Sequence, residues 1–336
     1  MKMLLFDYRD SEKKFFETNT CTGFDITFFK HNLNENTELS DEELNETEII
    51  SVFVSSQVTE KVINKFKNLR IIATRSTGYN HIDIDTCRDR NIAVVNVDGY
   101  GRYSVTQYTI CAMIALIRNM LPAIKDFQLE KIMFDKYTGY DLTEMSLGVI
   151  GTGSIGASVC KVANLFNMHI LAYDCKKNPE ITDFVEYVSL EELYKHSNII
   201  TLHIPFIPDV YHMISHKEFE MMPNGVYLVN TSRGELIDNA ALYEAIQSKK
   251  VAGAALDVLE CENLNMYPDD FLTNIKDATC NCLSSAIINQ KLIAEPNVLV
   301  TPHIAYNTFH AINTILETTF SNIRACISGK CTNRIV

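Results

Sequence analysis

The chain is short of the residues that punctuate or staple unusual folds. It has no tryptophan, 8 prolines and 13 glycines in 336 residues, and no internal repeat or low-complexity tract. Positive charge is also scarce: 30 lysines and arginines stand against 42 acids, a net charge of −12, with no long basic run. That balance argues against nucleic acid or an anionic membrane surface as the main partner. No stretch approaches the roughly 20 consecutive apolar residues of a membrane-crossing helix. The opening Met1-Lys2-Met3-Leu4-Leu5-Phe6-Asp7 is too short an apolar run for a secretion signal and carries no small-residue cleavage site. The 10 cysteines are scattered, the closest pair being Cys280 and Cys282, and no Cys-x-x-Cys occurs. Without a secretion signal they are expected to be reduced thiols of a cytoplasmic protein, mostly small core residues. No clustered ligand spacing suggests a metal.

What is present points to a globular α/β protein. The apolar fraction, 46%, supports full cores, and the length suits two domains of ordinary size. Four of the 13 glycines fall within residues 148–156, which read Gly-Val-Ile-Gly-Thr-Gly-Ser-Ile-Gly. A short apolar run, Leu147 to Ile150, leads in like a buried strand, and a helical pattern runs out from Ile155 to Phe166. In such a unit Gly151 permits the tight turn, Gly153 lets the backbone approach a pyrophosphate, and Gly156 lets helix and strand pack closely. The diphosphate is expected on the free N–H groups around Ser154, Ile155 and Gly156, at the positive end of the helix dipole. A second strand-like run, Ile170–Tyr173, ends in Asp174. That acid stands where this fingerprint places an acceptor for an adenosine ribose, favouring NAD over NADP, with Lys176 and Lys177 close behind it.

Strand-like runs at Met3–Tyr8, Ile49–Val54, Leu69–Thr74 and Ile92–Val97 precede this unit, separated by helical stretches such as Glu60–Lys67. Val105 to Leu121 reads as a buried helix stopped by Pro122, linking two domains and suited to a subunit contact. Further runs follow at Ile199–His203, Val226–Asn230, Ala252–Leu256 and Val298–Thr301, with helices at Leu190–His196 and Asn239–Ser248. This alternation means a parallel, doubly wound sheet. Residues 261–290 read as loops and short helices. Thr308–Ile327 reads as one long amphipathic helix returning to the first domain. Ligands of open α/β sheets bind at the carboxyl ends of the strands. The polar residues Asn230-Thr231-Ser232-Arg233-Gly234, Asp257 with Glu260 and Glu262, and Pro302-His303 all follow such strands.

Taken together, Asn-x-x-Arg-Gly-x-x-x-Asp at 230–238, Leu-Asp-Val-x-Glu-x-Glu at 256–262 and Thr-Pro-His at 301–303 resemble the D-specific 2-hydroxyacid dehydrogenases. So do Leu202-His203-Ile204-Pro205 and Ser76-Thr77-Gly78, and the likeness runs in order through nearly the whole chain. Within the family, Arg75–Asp83, Asp257–Glu262 and His303–Thr308 look most like D-lactate dehydrogenases, including the vancomycin-resistance-type branch. After Tyr100 the sequence departs from the lactate enzymes, with Gly101-Arg102 in place of their usual Ser-Pro. Gln107 replaces a frequent acid and Asn307 a frequent aromatic.

The resemblance implies two Rossmann-like domains, one flavodoxin-like and one NAD-binding, with a cleft between them. Residues 1–100 plus 306–336 would form the substrate domain, residues 101–305 the NAD domain, and the assembly would be a homodimer. It implies NAD as cofactor and a small 2-keto or 2-hydroxy acid as substrate. Arg233 would hold the substrate carboxylate and carbonyl, His303 would exchange the proton, and Glu262 would be its partner. Thr77 and Gly78 would offer backbone N–H groups to the carboxylate, with Tyr100 and Tyr306 on the substrate side. His203, Ile204, Pro205 and Thr231 would lie along the cofactor, and Asp257 would help orient the nicotinamide carboxamide.

The residue types suit that chemistry. A guanidinium grips a carboxylate with two parallel hydrogen bonds, and a histidine exchanges protons near neutral pH. Three alternatives share parts of the pattern. A D-2-hydroxyisocaproate or phenyllactate dehydrogenase keeps the mechanism with a larger side chain. An NAD(H)-sensing co-regulator keeps the fold, but this chain lacks long disordered tails or an added partner module. Phosphoglycerate dehydrogenase would need room for a further regulatory domain.

Overall fold

A computed structural model describes residues 1–18, 21–262, 264, 280–331 and 333–336. In chain order the first elements are β1 (Lys2–Leu5), α1 (Lys13–Thr18), β2 (Asp25–Phe28), α2 (Asp41–Glu46), β3 (Thr47–Val52), α3 (Glu60–Lys65), β4 (Ile71–Thr74), α4 (Ile84–Asp89) and β5 (Ala93–Val95). There follow α5 (Arg102–Ile117), α6 (Met120–Gln128), β6 (Ser146–Ile150), α7 (Ser154–Leu165), β7 (His169–Tyr173), β8 (Glu186–Tyr187), α8 (Leu190–His196), β9 (Ile199–Leu202), α9 (His216–Met221), β10 (Val226–Asn230), α10 (Asn239–Gln247) and β11 (Val251–Leu256). The last are α11 (Cys280–Ala294), β12 (Val298–Val300) and α12 (Phe309–Ile327).

The chain folds as two compact units, residues 1–100 with 307–336, and residues 101–306. The first holds a five-stranded sheet in the order β2-β1-β3-β4-β5, and every pairing in it is parallel. This is the flavodoxin-like order. The second holds a seven-stranded sheet in the order β12-β11-β10-β9-β6-β7-β8, again parallel throughout. It is a doubly wound sheet whose order reverses between β6 and β9, the crevice where such folds take nucleotides. Central strands such as β9 and β10 are buried at every residue, because helices cover both faces. Each sheet therefore carries two apolar cores. Side chains cap helices at the loops leading in: Ser189 accepts from Glu192 N, Asp238 from Ala240 and Ala241 N, and Thr308 from Ala311 N.

Several sequence expectations are corrected. Pro122 does not end the helix before it. α5 stops at Ile117, Asn119 takes a left-handed conformation, and Pro122 sits in the first turn of α6, where a missing N–H costs nothing. α5 belongs to the second unit and packs on α7, and its contribution there is to that unit's core. The stretch 261–290, expected to be loops and short helices, holds the first 11 residues of the 15-residue helix α11; residues 263 and 265–279 lie outside the described part. Two cysteine pairs are disulfides, Cys261–Cys282 and Cys326–Cys331. The first bridges residues 21 apart, and the second spans the turn that follows α12. Neither juxtaposition is visible in spacing alone, because the fold creates both. Cys21, Cys87, Cys111, Cys160 and Cys175 remain thiols. Among the described residues no helix is long and apolar enough to cross a membrane.

Candidate active site

The glycine loop joins β6 to α7 at the point where the strand order reverses. Gly151 has φ +93°, and a Cβ there would meet the carbonyl oxygen of His203 at 2.6 Å. At Gly156 a Cβ would run into the Gly151 carbonyl, so both positions exclude any side chain. Gly153 differs: a Cβ on it would meet nothing within 4 Å, and it caps α7 without a side-chain hydrogen bond. This 12-residue helix thus starts at a backbone position free of obstruction, and its first-turn N–H groups have no preceding helical turn to bond. That cradle fits a diphosphate.

Asp174 leaves the end of β7 and bends back over the loop, accepting from Thr152 N at 2.6 Å and Thr152 Oγ1 at 3.2 Å. His203, at the end of β9, shares a 3.0 Å hydrogen bond with Thr201 Oγ1, and burial pushes its imidazole down to about 3, so it is neutral. Ile204 is partly buried beside Gly151, and Pro205 is exposed. Thr231, buried after β10, exchanges a 2.8 Å hydrogen bond with Thr109 of α5.

The remaining polar residues of the second unit follow β10, β11 and β12, three neighbours in the parallel sheet. Arg233 is half-buried, and buried Asn230 shapes its loop. The Asn230 amide donates to the Arg233 carbonyl at 2.8 Å, while its own oxygen accepts from Ser232 N and Oγ. The Arg233 guanidinium donates to the Ser232 carbonyl at 2.6 Å and has no carboxylate partner among the described residues. Close by, burial raises the Glu235 carboxyl, the charges of Glu262 and Glu260 raise it further, and Arg233 lowers it. A Cβ on Gly234 would run into the Leu259 carbonyl carbon and the Glu260 nitrogen, so the loop that carries Arg233 packs against the segment leading to Glu262.

His303 stands in a left-handed conformation at φ +51°, and its Nδ1 lies 2.7 Å from Glu262 Oε1. Both side chains are about a quarter exposed. With Nδ1 engaged by the carboxylate, Nε2 is the nitrogen left to meet a ligand. Glu260 is drawn elsewhere: it accepts from Tyr211 Oη at 2.8 Å and lies 3.1 Å from His212 Nε2. Asp257 has a task not foreseen from the sequence. Its buried carboxylate accepts from Thr301 Oγ1 at 2.6 Å, Ile304 N at 2.9 Å and Ala305 N at 2.8 Å, clasping the turn that carries His303. Burial raises this carboxyl above the ordinary range, against the lowering by those three donors.

In the first unit Thr77 is exposed and Gly78 partly buried, in the loop after β4. Tyr100 is half-buried at the end of that unit's first segment, and Tyr306 is a buried aromatic closing the second unit.

Comparison with known proteins agrees with this geometry. Residues 110–305 match the family described as D-isomer specific 2-hydroxyacid dehydrogenase, NAD binding domain. A D-lactate dehydrogenase of Escherichia coli is 32% identical, covering 100% of both chains. An aromatic 2-oxoacid reductase of Clostridium sporogenes is 35% identical over 85% of each. The crystal structure of a D-lactate dehydrogenase from Aquifex aeolicus, complexed with NAD and lactic acid, superposes with a TM-score of 0.85 at 30% identity, covering 98% of this chain and 96% of that one. The match over more than half the chain, on an NAD-binding domain whose glycine loop has the room such a coenzyme needs, shows that this protein belongs to the D-isomer-specific 2-hydroxyacid dehydrogenases.

Proposed function

We propose that the protein is an NAD-dependent D-lactate dehydrogenase that reduces pyruvate reversibly. The observation that carries the reading is a hydrogen-bonded imidazole–carboxylate pair and a guanidinium that follow neighbouring strands of one parallel sheet. His303 is held by Glu262 at 2.7 Å, and Arg233 has no carboxylate partner among the described residues. A half-buried guanidinium without a counter-ion is costly unless an anionic ligand completes it. The nicotinamide, when bound, supplies the hydride. Arg233 grips the substrate carboxylate and stabilises charge on the carbonyl oxygen. His303 gives that oxygen its proton from Nε2, and Glu262 fixes the ring. Thr77 and Gly78 add backbone N–H groups to the carboxylate, and Tyr100 and Tyr306 lie toward the substrate side chain. Residues 1–100 with 306–336 serve the substrate, and residues 101–305 the coenzyme. Ser154, Ile155 and Gly156 take the diphosphate, Asp174 the ribose, and His203, Ile204, Pro205 and Thr231 line the coenzyme's path. Asp257 orients the carboxamide end through the turn it clasps. A cytosolic setting suits this reading, since the reaction draws on the NADH pool.

A larger keto acid is the second reading, favoured by the 35% identity to the Clostridium sporogenes aromatic 2-oxoacid reductase. The two differ in pocket volume, where a few methylenes are worth about 1–3 kcal/mol of selectivity. The test is kcat/KM for pyruvate, 2-ketoisocaproate and phenylpyruvate with NADH and with NADPH. Pyruvate with NADH should rank first. A preference for phenylpyruvate would move the assignment to the second reading, and no NADH oxidation with any keto acid would end both.

A homodimer is part of the same reading. α6 buries none of its residues, and Phe127, Met133 and Phe134 are 70%, 61% and 84% exposed in one stretch. A second copy of the chain is the occupant the family's assembly implies for this apolar face. Sedimentation equilibrium should return twice the chain mass for wild type and the chain mass for Phe127→Glu/Phe134→Glu; a monomeric wild type would refute it.

A further inference from the structure

The loop Ser76-Thr77-Gly78-Tyr79 is held from beneath by a hydrogen-bond chain that can run in one direction only. The Ser76 hydroxyl donates to the Gly78 carbonyl at 2.7 Å. Its single proton is thereby spent, so in the 2.7 Å contact between Thr74 Oγ1 and Ser76 Oγ the threonine is the donor. The threonine proton is then spent too, so in the 3.1 Å contact between Thr74 Oγ1 and His81 Nε2 the proton sits on the histidine nitrogen. Thr74 and Ser76 are 1% and 2% exposed, which shields the chain from competing water. Burial also pushes His81 down to about 4, so the ring is neutral with its one proton on Nε2.

The neighbouring carbonyls are engaged as well. Ser76 O accepts from Val97 N at 3.1 Å, and Thr77 O accepts from Asn96 Nδ2 at 2.8 Å. Asn96 is itself fixed, since Asn322 of α12 donates to its carbonyl at 2.8 Å. Three successive peptide groups thus have their oxygens bound by protein. Their N–H groups, on Thr77, Gly78 and Tyr79, donate to no described residue. A peptide whose oxygen accepts a hydrogen bond is a stronger donor at its nitrogen.

We propose that His81, acting through Thr74 and Ser76, is a positioning residue that fixes and polarises the Thr77–Tyr79 peptides as a three-donor cradle for the substrate carboxylate. This extends the proposed role of the Thr77 and Gly78 N–H groups to Tyr79, and it rests on that reading of the loop. His81 touches no substrate; it acts by denying the Gly78 peptide any other orientation.

The test compares His81→Ala, Ser76→Ala and His81→Gln with wild type, after thermal melting shows which variants fold. Gln keeps a donor at about the reach of Nε2. His81→Ala and Ser76→Ala should each raise KM for pyruvate about five- to ten-fold, the loss of one hydrogen bond in a buried chain. kcat should stay within about three-fold, and KM for NADH should not move. His81→Gln should return most of the pyruvate KM. An unchanged pyruvate KM in folded Ser76→Ala would overturn the proposal, as would equal losses for pyruvate and NADH. A second measurement is independent of turnover: oxamate titrated into labelled protein should shift the amide signals of Thr77, Gly78 and Tyr79 in wild type, and at higher concentration in Ser76→Ala. If these amides respond while no keto acid is reduced, the functional reading fails and the cradle stands. If keto acids are reduced and the amides do not respond, the cradle fails alone.

Discussion

Arg233→Gln should lower kcat/KM for pyruvate by about 10²–10³, or about 2.7–4 kcal/mol of transition-state stabilisation. The loss should appear in both parameters, because in the proposed role one guanidinium would hold the ground-state carboxylate and also face the charge that grows on the carbonyl oxygen. Arg233→Lys should recover only part of it. An ammonium restores the charge but not the planar fork. The loop geometry makes the experiment clean: Asn230 braces the backbone at 230–233 through the Arg233 carbonyl and Ser232, not through the guanidinium. Replacing the side chain removes its own bond to the Ser232 carbonyl and leaves the Asn230 brace in place. Steady-state kinetics at saturating NADH checks the prediction, and a change under about three-fold in kcat/KM would contradict it.

The second large effect concerns the proton. His303→Gln should lower the rate of pyruvate reduction by about 10²–10⁴, the usual range for a positioned acid or base. Its more telling consequence is in the pH profile. Reduction consumes a proton, so in the proposed role His303 enters the step protonated, and the rate should fall with rising pH. Lactate oxidation returns the proton and needs the neutral ring, so its rate should rise with pH. Glutamine has no proton to exchange, and both limbs should flatten in the variant. The same limbs in wild type and variant would remove His303 from the step. Glu262→Gln should give a smaller loss than His303→Gln, since the amide still reaches Nδ1 but no longer fixes which nitrogen carries the proton.

Much of the architecture is legible in local pattern. Leu190–His196 and Val226–Asn230 are helix and strand over the residues their sequence suggests. The first has a serine cap and a periodic apolar face, the second an unbroken apolar run that a parallel sheet buries on both sides. β2 is missed for the opposite reason. Asp25–Phe28 is an edge strand, half exposed and mixed in polarity, so neither period stands out. Pro122 misleads because a proline stops one helix or opens the next, and only the left-handed turn at Asn119 decides which.

The candidate site divides along the same line. The glycine loop is readable because its constraints are local: a turn, a close contact and an open face within six residues. The choice of Glu262 over Glu260 beside His303 rests on motif spacing, whereas the competing partners of Glu260, Tyr211 and His212, come from a distant turn. The clasp of Asp257 on the His303 turn joins residues 44 to 48 apart, and the hydrogen-bond direction from His81 to Gly78 depends on which hydroxyl has a proton to spare. Such relations exist only once the chain is folded.

The account stands on Arg233 and the Glu262-held imidazole meeting one carbonyl group above the coenzyme. A crystal structure with NADH and oxamate measures this directly. It should show the oxamate carboxylate on the Arg233 guanidinium through two hydrogen bonds, and His303 Nε2 within hydrogen-bond distance of the carbonyl oxygen. A bound coenzyme with oxamate seated away from residues 233 and 303 would contradict it.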